Sequence, residues 1–391
     1  MRRLGVVVVL LAGLALPGCG NSGSPTRTVL TDFTHDQFGV SLFGFFPRIT
    51  QVHPGDTIQF KQAWSGDAHT VTFGTLLNSI GNIVKPYYEG KLQPPPDDES
   101  PPGLDEESAK IPFPFDGEDV NQTAGQPCFL KDGPLRTDRK ACRRVTQPTF
   151  TGREAFYSSG FIPYAGNNGN KFKMKLSPTI APGEYFYYCL MHGAGMGGFL
   201  QVRPKSQSIP NQGEVNRAAQ KEVDSAIKGL AKADKDAKAG KWDLPPGTPK
   251  VDVLAGTFSP GDGITFGLVD EYYPKRFEAK VGQKVTWMLQ GHTVSFKVPK
   301  YGPQLSFDPK THFVSQNAKA YLPVGVTVPE TNPDDNESPP PVDAGNYDGS
   351  KFLSSGVQFG LAFSITFTKA GTYQYACLVH PRQVGTLVVK G

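Results

Sequence analysis

Two sets of histidine and cysteine residues have types and spacing that could bind a metal ion. Each set has a histidine just after a turn and, far downstream, a cysteine and a second histidine spaced Cys-x-x-His. The sets are His69, Cys189 and His192, and His292, Cys377 and His380. Two imidazoles and one thiolate in a buried, nearly trigonal arrangement favour copper and tune it for electron transfer. The sequence therefore predicts two copper sites with these residues as ligands.

The alternatives to copper ligation are a zinc site and a purely structural role. Structural zinc sites usually pair cysteines as Cys-x-x-Cys, and neither set does so. A lone histidine or buried cysteine is usually structural, but here the same pattern occurs twice. Met196 follows His192 and could supply the weak axial thioether of a copper electron-transfer site.

The chain reads as a duplication. Residues 69–73 (HTVTF) parallel residues 292–296 (HTVSF), and residues 185–192 (YFYYCLMH) parallel residues 373–380 (YQYACLVH). We expect a first domain at residues 26–204, with a long insertion, and a second at residues 250–391. Residues 1–25 are expected to be a signal peptide and tether, and residues 205–249 a linker.

The elements that must position the ligands are strands. The repeated segments alternate apolar and polar residues and are rich in β-branched and aromatic types, as at residues 57–60 and 284–287. The 35 prolines and 44 glycines among 391 residues favour short strands joined by turns. The prediction is an all-β protein of two domains. Residues 94–114 and 329–347, rich in proline and acidic residues, are expected to be extended surface loops.

One helix is predicted between the copies, over residues 211–240. Asn211 with Glu214 is typical of a helix cap, and Gly240 of a helix end. Apolar residues recur every three or four positions between them, namely Val215, Ala219, Val223, Ala226, Ile227, Leu230 and Ala233. At roughly 1.5 Å per residue the helix would be a strut of about 40 Å, with its narrow apolar stripe on a domain surface.

The N-terminus has the pattern of a secretory signal. A basic residue pair at positions 2 and 3 precedes an apolar run over residues 4–16, which is too short for a bilayer that needs about 20 apolar residues. Residues 16–19 (LPGC) resemble a bacterial lipobox, which predicts lipidation at Cys19; simple cleavage nearby is the alternative. We expect a cell-envelope protein, on the outer side of the cytoplasmic membrane or in the periplasm.

The net charge of +4, or +2 without the two arginines, indicates no nucleic-acid partner.

Cys128 and Cys142 are the natural disulfide pair of an exported protein. The loop between and beside them is basic and could dock an acidic redox partner, through Lys131, Arg136, Arg139, Lys140, Arg143 and Arg144. The alternative is a loop staple without a recognition role.

Both copies resemble the plastocyanin and azurin family of cupredoxins, over about residues 26–204 and 250–391 without the two long insertions and the linker. The stretch at residues 189–198 (CLMHGAGMGG) is similar to the plastocyanin copper loop, shortened by one residue. The resemblance implies a Greek-key β-sandwich in each copy, joined here by a helical linker. It also implies a type 1 blue-copper centre in each copy, Met196 as the first axial ligand, and backbone amides near Thr70 and Thr293 that donate to the cysteine sulfur.

The axial position of the second site is open between two residues. Aligning Gly385 with Gly197 puts Val384 at the position of Met196, and Gln383 is the alternative. Valine donates nothing to copper, so the second site would favour Cu(I), have the higher potential and receive electrons from the first. A glutamine oxygen would reverse that order.

The predicted function is extracytoplasmic electron transfer with redox partner proteins. Alternatives are an enzyme of the multicopper oxidase or nitrite reductase type, or a copper storage or delivery protein. Those enzymes bind additional copper ions through extra histidine ligands. This sequence has no His-x-His pair and no histidine directly beside Cys189 or Cys377. Five methionines do not suggest copper storage. The remaining histidines, His35, His53 and His312, are expected to be surface or structural residues.

Overall fold

The computed structural model describes most of the chain. The described residues are 25–35, 38–63, 66–93, 95, 100–116, 119–133, 135, 147–162, 170–242, 244, 246–259, 266–299, 304–308, 310–311, 313–329 and 340–391. Cys19, Cys142, His312 and the predicted signal lie outside them, so those predictions stay predictions.

The N-terminal half is built mainly from short strands. They are β1 (Thr26–Thr31), β2 (Val40–Phe43), β3 (Phe45–Phe46), β4 (Ile49–Val52), β5 (Thr57–Gln62), β6 (Thr72–Phe73), β7 (Phe115–Asp116), β8 (Asp119–Val120), β9 (Cys128–Leu130), β10 (Phe156–Ser158), β11 (Lys171–Lys175), β12 (Gly183–Cys189) and β13 (Gly193–Val202). Its helices are α1 (Asn78–Tyr88), α2 (Leu104–Ser108) and α3 (Gln122–Gly125), with a 3₁₀ turn at Thr75–Leu77.

A long helix, α4 (Gln212–Lys238), precedes the C-terminal half. The strands of that half are β14 (Val253–Ser259), β15 (Phe266–Tyr273), β16 (Arg276–Lys280), β17 (Lys284–His292), β18 (Ser295–Phe296), β19 (Leu305–Phe307), β20 (Val314–Gln316), β21 (Val342–Tyr347), β22 (Leu353–Ser354), β23 (Gln358–Phe367), β24 (Gly371–Ala376) and β25 (Val384–Lys390), with one short helix, α5 (Ala318–Tyr321).

The central strands of the two halves have the same order, and β9 in the first half and β2 and β21 in the second are added at sheet edges. The first has sheets ordered β11-β5-β1-β3 and β4-β13-β12-β6-β10-β9, and the second β2-β15-β14-β17-β23-β21 and β16-β25-β24-β18-β22. The parallel pairs also match, because β1 with β5 corresponds to β14 with β17, and β4 with β13 to β16 with β25. The prediction of an all-β protein with a duplicated fold is confirmed.

Each half is a sandwich because its strands bury alternate side chains. In β11 only Phe172 and Met174 point inward, and they pack with residues of the facing sheet such as Tyr187. The second half has an equivalent cluster around Trp287 and Tyr375. These clusters hold the strand ends that carry the candidate ligands.

The two sandwiches are joined by a shared sheet. Strand β2 of the first half pairs antiparallel with β15 of the second, with Phe43 opposite Phe266 and Val40 opposite Val269. Side-chain bonds add to this contact: Gln122 Nε2 donates to the Val314 carbonyl oxygen at 2.8 Å, and Val314 N–H donates to Gln122 Oε1 at 3.0 Å. The halves therefore share backbone hydrogen bonds as well as surface contacts.

Helix α4 confirms the helix predicted between the copies, but it is not a strut. Asn211 and Glu214 form the expected reciprocal capping box. The apolar stripe, including Val223 and Leu230, packs with Leu42 and Phe46 of the first half and with residues of the second half such as Val269. The helix therefore covers the junction of the two sheets, where both halves supply apolar surface.

The proline-rich and acidic segments contain more structure than expected. Helix α2 lies within residues 94–114, and strand β21, within residues 329–347, pairs with β23 at the edge of a sheet. The prediction of surface loops is wrong for these parts. Acidic and proline-rich composition gives no sign of a strand whose hydrogen bonds are supplied by a neighbouring strand. Helix α1, which packs Ile80 and Val84 against Phe186, was also not anticipated.

Candidate metal centres

The first candidate site is assembled where three strands end. His69 precedes β6 and is held by a bridge to Ile162, and Cys189 is the last residue of β12. His192 lies in the short turn that joins β12 to β13. The pairing shifts after Tyr188 so that Cys189 lies opposite Gly193, whose φ of 65° is easily adopted by glycine. This turn brings the cysteine and the second histidine to one place.

The donor atoms of the first set converge. His69 Nδ1 lies 3.1 Å from His192 Nδ1, and Cys189 Sγ lies 4.0 Å and 3.4 Å from these two nitrogens. His69 and Cys189 are buried, whereas His192 is half-buried. The ring of His192 stacks on Phe43 with centroids 4.2 Å apart and an interplanar angle of 11°. Three donors thus surround a small space close to the surface.

The second set repeats this geometry. His292 Nδ1 lies 2.8 Å from His380 Nδ1, and Cys377 Sγ lies 3.9 Å and 3.5 Å from these two nitrogens. All three residues are buried. His292 ends β17, and the other two donors lie in the turn between β24 and β25. The repeated sequence therefore produces a repeated arrangement of donor atoms.

Each cysteine sulfur accepts a backbone hydrogen bond. Thr70 N–H donates to Cys189 Sγ at 3.3 Å, and Thr293 N–H donates to Cys377 Sγ at 3.4 Å. The threonine hydroxyls also accept from the residue after each cysteine, at 2.8 Å from Leu190 N and 2.9 Å from Leu378 N. The expected amide donors are confirmed, and they tie the histidine strand to the cysteine turn.

The electrostatics of both sites favour a thiolate. Burial opposes the charged form of Cys189, but the neighbouring imidazoles of His192 and His69 outweigh it and hold the thiol pKa well below its usual range. Burial also opposes ionisation of Cys377, and His380 and the Thr293 amide lower its pKa below the ordinary value. The thiolate is the form of cysteine that binds metals.

Carboxylates hold the outward nitrogens of two of the histidines. His69 Nε2 lies 2.9 Å from Asp32 Oδ2, and His380 Nε2 lies 3.3 Å from Asp67 Oδ2. Asp270 Oδ1 lies 3.7 Å from the same His380 nitrogen. Such carboxylates orient histidine ligands and fix which ring nitrogen faces the metal. These three aspartates could not be predicted from the sequence, because they do not recur in the two copies and belong to no motif.

The structure places Gln383 at the position equivalent to Met196, and the alignment that put Val384 there is wrong. Phe199 N–H donates to the Arg48 carbonyl at 2.7 Å, and Thr386 N–H donates to the Lys275 carbonyl at 2.8 Å. Phe199 and Thr386 therefore occupy equivalent strand positions, because Arg48 and Lys275 are equivalent residues of the repeat. Met196 and Gln383 each lie three residues before these positions and are equivalent in turn. Val384 has 53% of its surface exposed, whereas Met196 and Gln383 are fully buried. The alignment of Val384 with Met196 is out of register because the turn after Cys377 is one residue shorter than the turn after Cys189.

Gln383 is held with its amide directed inward. Its Nε2 donates to the Glu271 carbonyl at 3.0 Å, and its backbone N–H donates to the His380 carbonyl at 3.0 Å. Within the described residues its buried Oε1 has no hydrogen-bond partner. A buried carbonyl oxygen without a partner is costly, so this atom fits the role of a donor to a metal ion.

The other predicted residues lie apart from the two sites or outside the described part. Cys128 is disulfide-bonded, but its expected partner Cys142 is not described, so that pairing stays a prediction. His53 Nε2 contacts the Gln207 carbonyl at 2.8 Å, and the ring of His35 lies tilted against that of Phe38 with centroids 4.6 Å apart. Among the described residues, no helix is long and apolar enough to cross a membrane.

Comparisons with known proteins return cupredoxins among solved structures. A reduced amicyanin variant is 22% identical over 31% of this chain and 73% of its own, with a TM-score of 0.17. Reduced auracyanin from Roseiflexus castenholzii is 14% identical over 46% of this chain and 99% of its own, with a TM-score of 0.22. Oxidised plastocyanin from Dryopteris crassirhizoma is 17% identical over 35% of this chain and 98% of its own, with a TM-score of 0.18. No protein-family model and no curated protein matches the chain.

Proposed function

We propose that this chain, whose two halves have a cupredoxin-like fold, binds one copper ion in each half and carries electrons between partner proteins outside the cytoplasm. The observation that supports this most directly is the duplicated donor set. In each half two imidazole nitrogens and one sulfur converge, and a backbone N–H donates to the sulfur. A buried thiolate needs such donors to remain charged.

The donor set fits copper better than zinc. Soft sulfur and imidazole ligands with one weak axial donor are typical of copper electron-transfer sites. Met196 in the first site and Gln383 in the second are the buried residues that we assign to the axial role. The bound ion would supply a one-electron redox couple. The protein contributes ligands fixed by strands, turns and hydrogen bonds, which limits movement between oxidation states.

The half-buried His192 is the ligand we expect to face external partners. The other five donor residues are buried. We assign electron exchange with partner proteins to the surface around His192, whose ring stacks on the buried ring of Phe43. The predicted basic loop near Cys128 remains a second candidate contact, since charged patches mainly steer encounter.

The first prediction concerns copper stoichiometry. The full chain should bind two copper ions and show an intense visible band from sulfur-to-Cu(II) charge transfer. Cys189→Ser and Cys377→Ser should each remove one ion and about half of that band, because each removes the thiolate of one site. Metal analysis with absorption and EPR spectroscopy measures both quantities.

Each single variant serves as the control for the other, because the sites use separate ligands. A copper count that either substitution leaves unchanged would contradict that ligand assignment. Sustained oxygen or nitrite consumption by the copper-loaded chain would contradict the assignment as an electron carrier and favour the enzymatic alternative.

The proposed location rests on the N-terminal signal and on Cys19. We expect the exported chain to carry lipid at this cysteine and to fractionate with membranes. Cys19→Ala should abolish incorporation of labelled fatty acid, as judged by metabolic labelling. Incorporation that survives this substitution would contradict lipidation at Cys19.

A further inference from the structure

One contact at the second candidate site comes from the other half of the chain. Asp67 lies two residues before His69, a donor of the first site, yet its Oδ2 lies 3.3 Å from Nε2 of His380 in the second site. The side chains are 12% and 2% exposed, so the contact is largely shielded from water. A charge contact of this kind is much stronger in such surroundings than at a surface.

The loop that carries Asp67 lies in close contact with the turn that carries His380. A Cβ at Gly66 would lie 2.3 Å from the Val379 carbonyl oxygen and 3.1 Å from the Cα of His380. The φ of Gly66 is 128°, in a region that side-chain-bearing residues rarely adopt. Gln62 Nε2 donates to the Asp67 carbonyl at 2.7 Å and holds the loop from within the first half. Glycine at position 66 thus lets the backbone of one half rest directly on the ligand turn of the other.

The equivalent histidine of the first site is supported differently. His192 occupies the Cys-x-x-His position that His380 occupies in the second copy, and its ring stacks on Phe43. The two sites therefore have the same His-Cys-His group but different surroundings. The difference comes from the way in which the halves meet.

We propose that Asp67 is a positioning residue of the second metal site, supplied by the first half of the chain. By accepting a hydrogen bond from Nε2–H of His380, it fixes the ring with Nδ1 toward the ion. Its negative charge also favours the more highly charged oxidised ion and so lowers the reduction potential of that site. The inference rests on the proposed copper function and adds a residue outside the second domain to the set that controls its site.

The test isolates the second site in the full chain with Cys189→Ser. In that background Asp67→Asn should raise the midpoint potential, so that at a fixed potential the ratio of reduced to oxidised copper rises roughly tenfold. Asp67→Glu keeps the charge and should restore much of the original value. Asp234→Asn is the control, because Asp234 is another buried carboxylate, bonded to Tyr273 and Lys238 rather than to a candidate ligand.

The failures of the two proposals are distinguishable. If Cys189→Ser alone yields no copper band, the proposed second centre is wrong. If the band is present and Asp67→Asn leaves its potential unchanged, the positioning role is wrong. If Asp67→Asn does not load copper, Asp67→Ala decides the matter in the same way, because it removes the carboxylate without placing a new amide beside His380 and should also raise the potential.

Discussion

At the scale of single residues, the two candidate sites differ in the residue to which we assign the axial role. Met196 and Gln383 occupy equivalent, fully buried places, while Val384 faces solvent. The convergence of the six histidine and cysteine side chains was predictable because Cys-x-x-His recurs with the same flanking residues. The axial residue was not predictable in the same way. A turn of different length hides the register, which becomes visible only from the hydrogen bonds of the strand that follows.

The corrected axial residue reverses the expected order of potentials. An amide oxygen is a harder donor than a thioether and favours Cu(II), so the second centre should have the lower potential. Gln383→Met should raise that potential toward the value of the first centre, whereas the exposed control Val384→Ala should leave it unchanged. Redox titration of these variants in the Cys189→Ser background measures the effect. A second centre with the higher potential would contradict the glutamine assignment.

At the scale of elements, helix α4 ties the sandwiches together. Its capping box and apolar period were predictable from local spacing, because both depend on residues three and four apart. The surface on which the helix packs was not predictable, because it is formed by strands from both halves. Strand β21 eluded prediction for a related reason, since its pairing with β23 is supplied by tertiary contact.

Removing the central contact of α4 should destabilise both halves together. Leu230 is fully buried, and its side chain lies close to Gly267 of β15. Leu230→Ala should lower the free energy of unfolding by about 2–5 kcal/mol, the usual cost of a large-to-small core substitution. The exposed control Lys232→Ala should change it by less than about 0.5 kcal/mol. Denaturant unfolding followed at the copper band of each half measures this effect. A loss of stability in only one half would contradict the proposed role of the helix.

At the scale of the whole molecule, the halves form one unit through strand pairing, a shared helix and Asp67. The duplication was readable from sequence, because equivalent residues recur. The junction was not, since strand β2 and the loop at Gly66 make contacts that only one of the two copies makes.

Cleavage of the connection before α4 should therefore leave the halves associated. A protease site placed at residues 205–209 lies in an exposed or half-exposed stretch before the helix. The cleaved chain should elute as one species and keep both copper bands, because β2 stays paired with β15. Size-exclusion chromatography with metal analysis tests this, and an uncleaved chain is the control. Separation of the fragments under native conditions would show that the junction is weaker than its hydrogen bonds indicate.

The pairing of β2 with β15 also bears on the history of the chain. Two newly duplicated domains can be exchanged or lost independently, as long as each completes its own sheet and its own site. Here a strand and a carboxylate of the first copy are built into the second. A recombination event that replaced the second copy with an outside relative would leave β2 without β15 and Asp67 without His380. The two copies are therefore not interchangeable modules, because the second is completed by parts of the first.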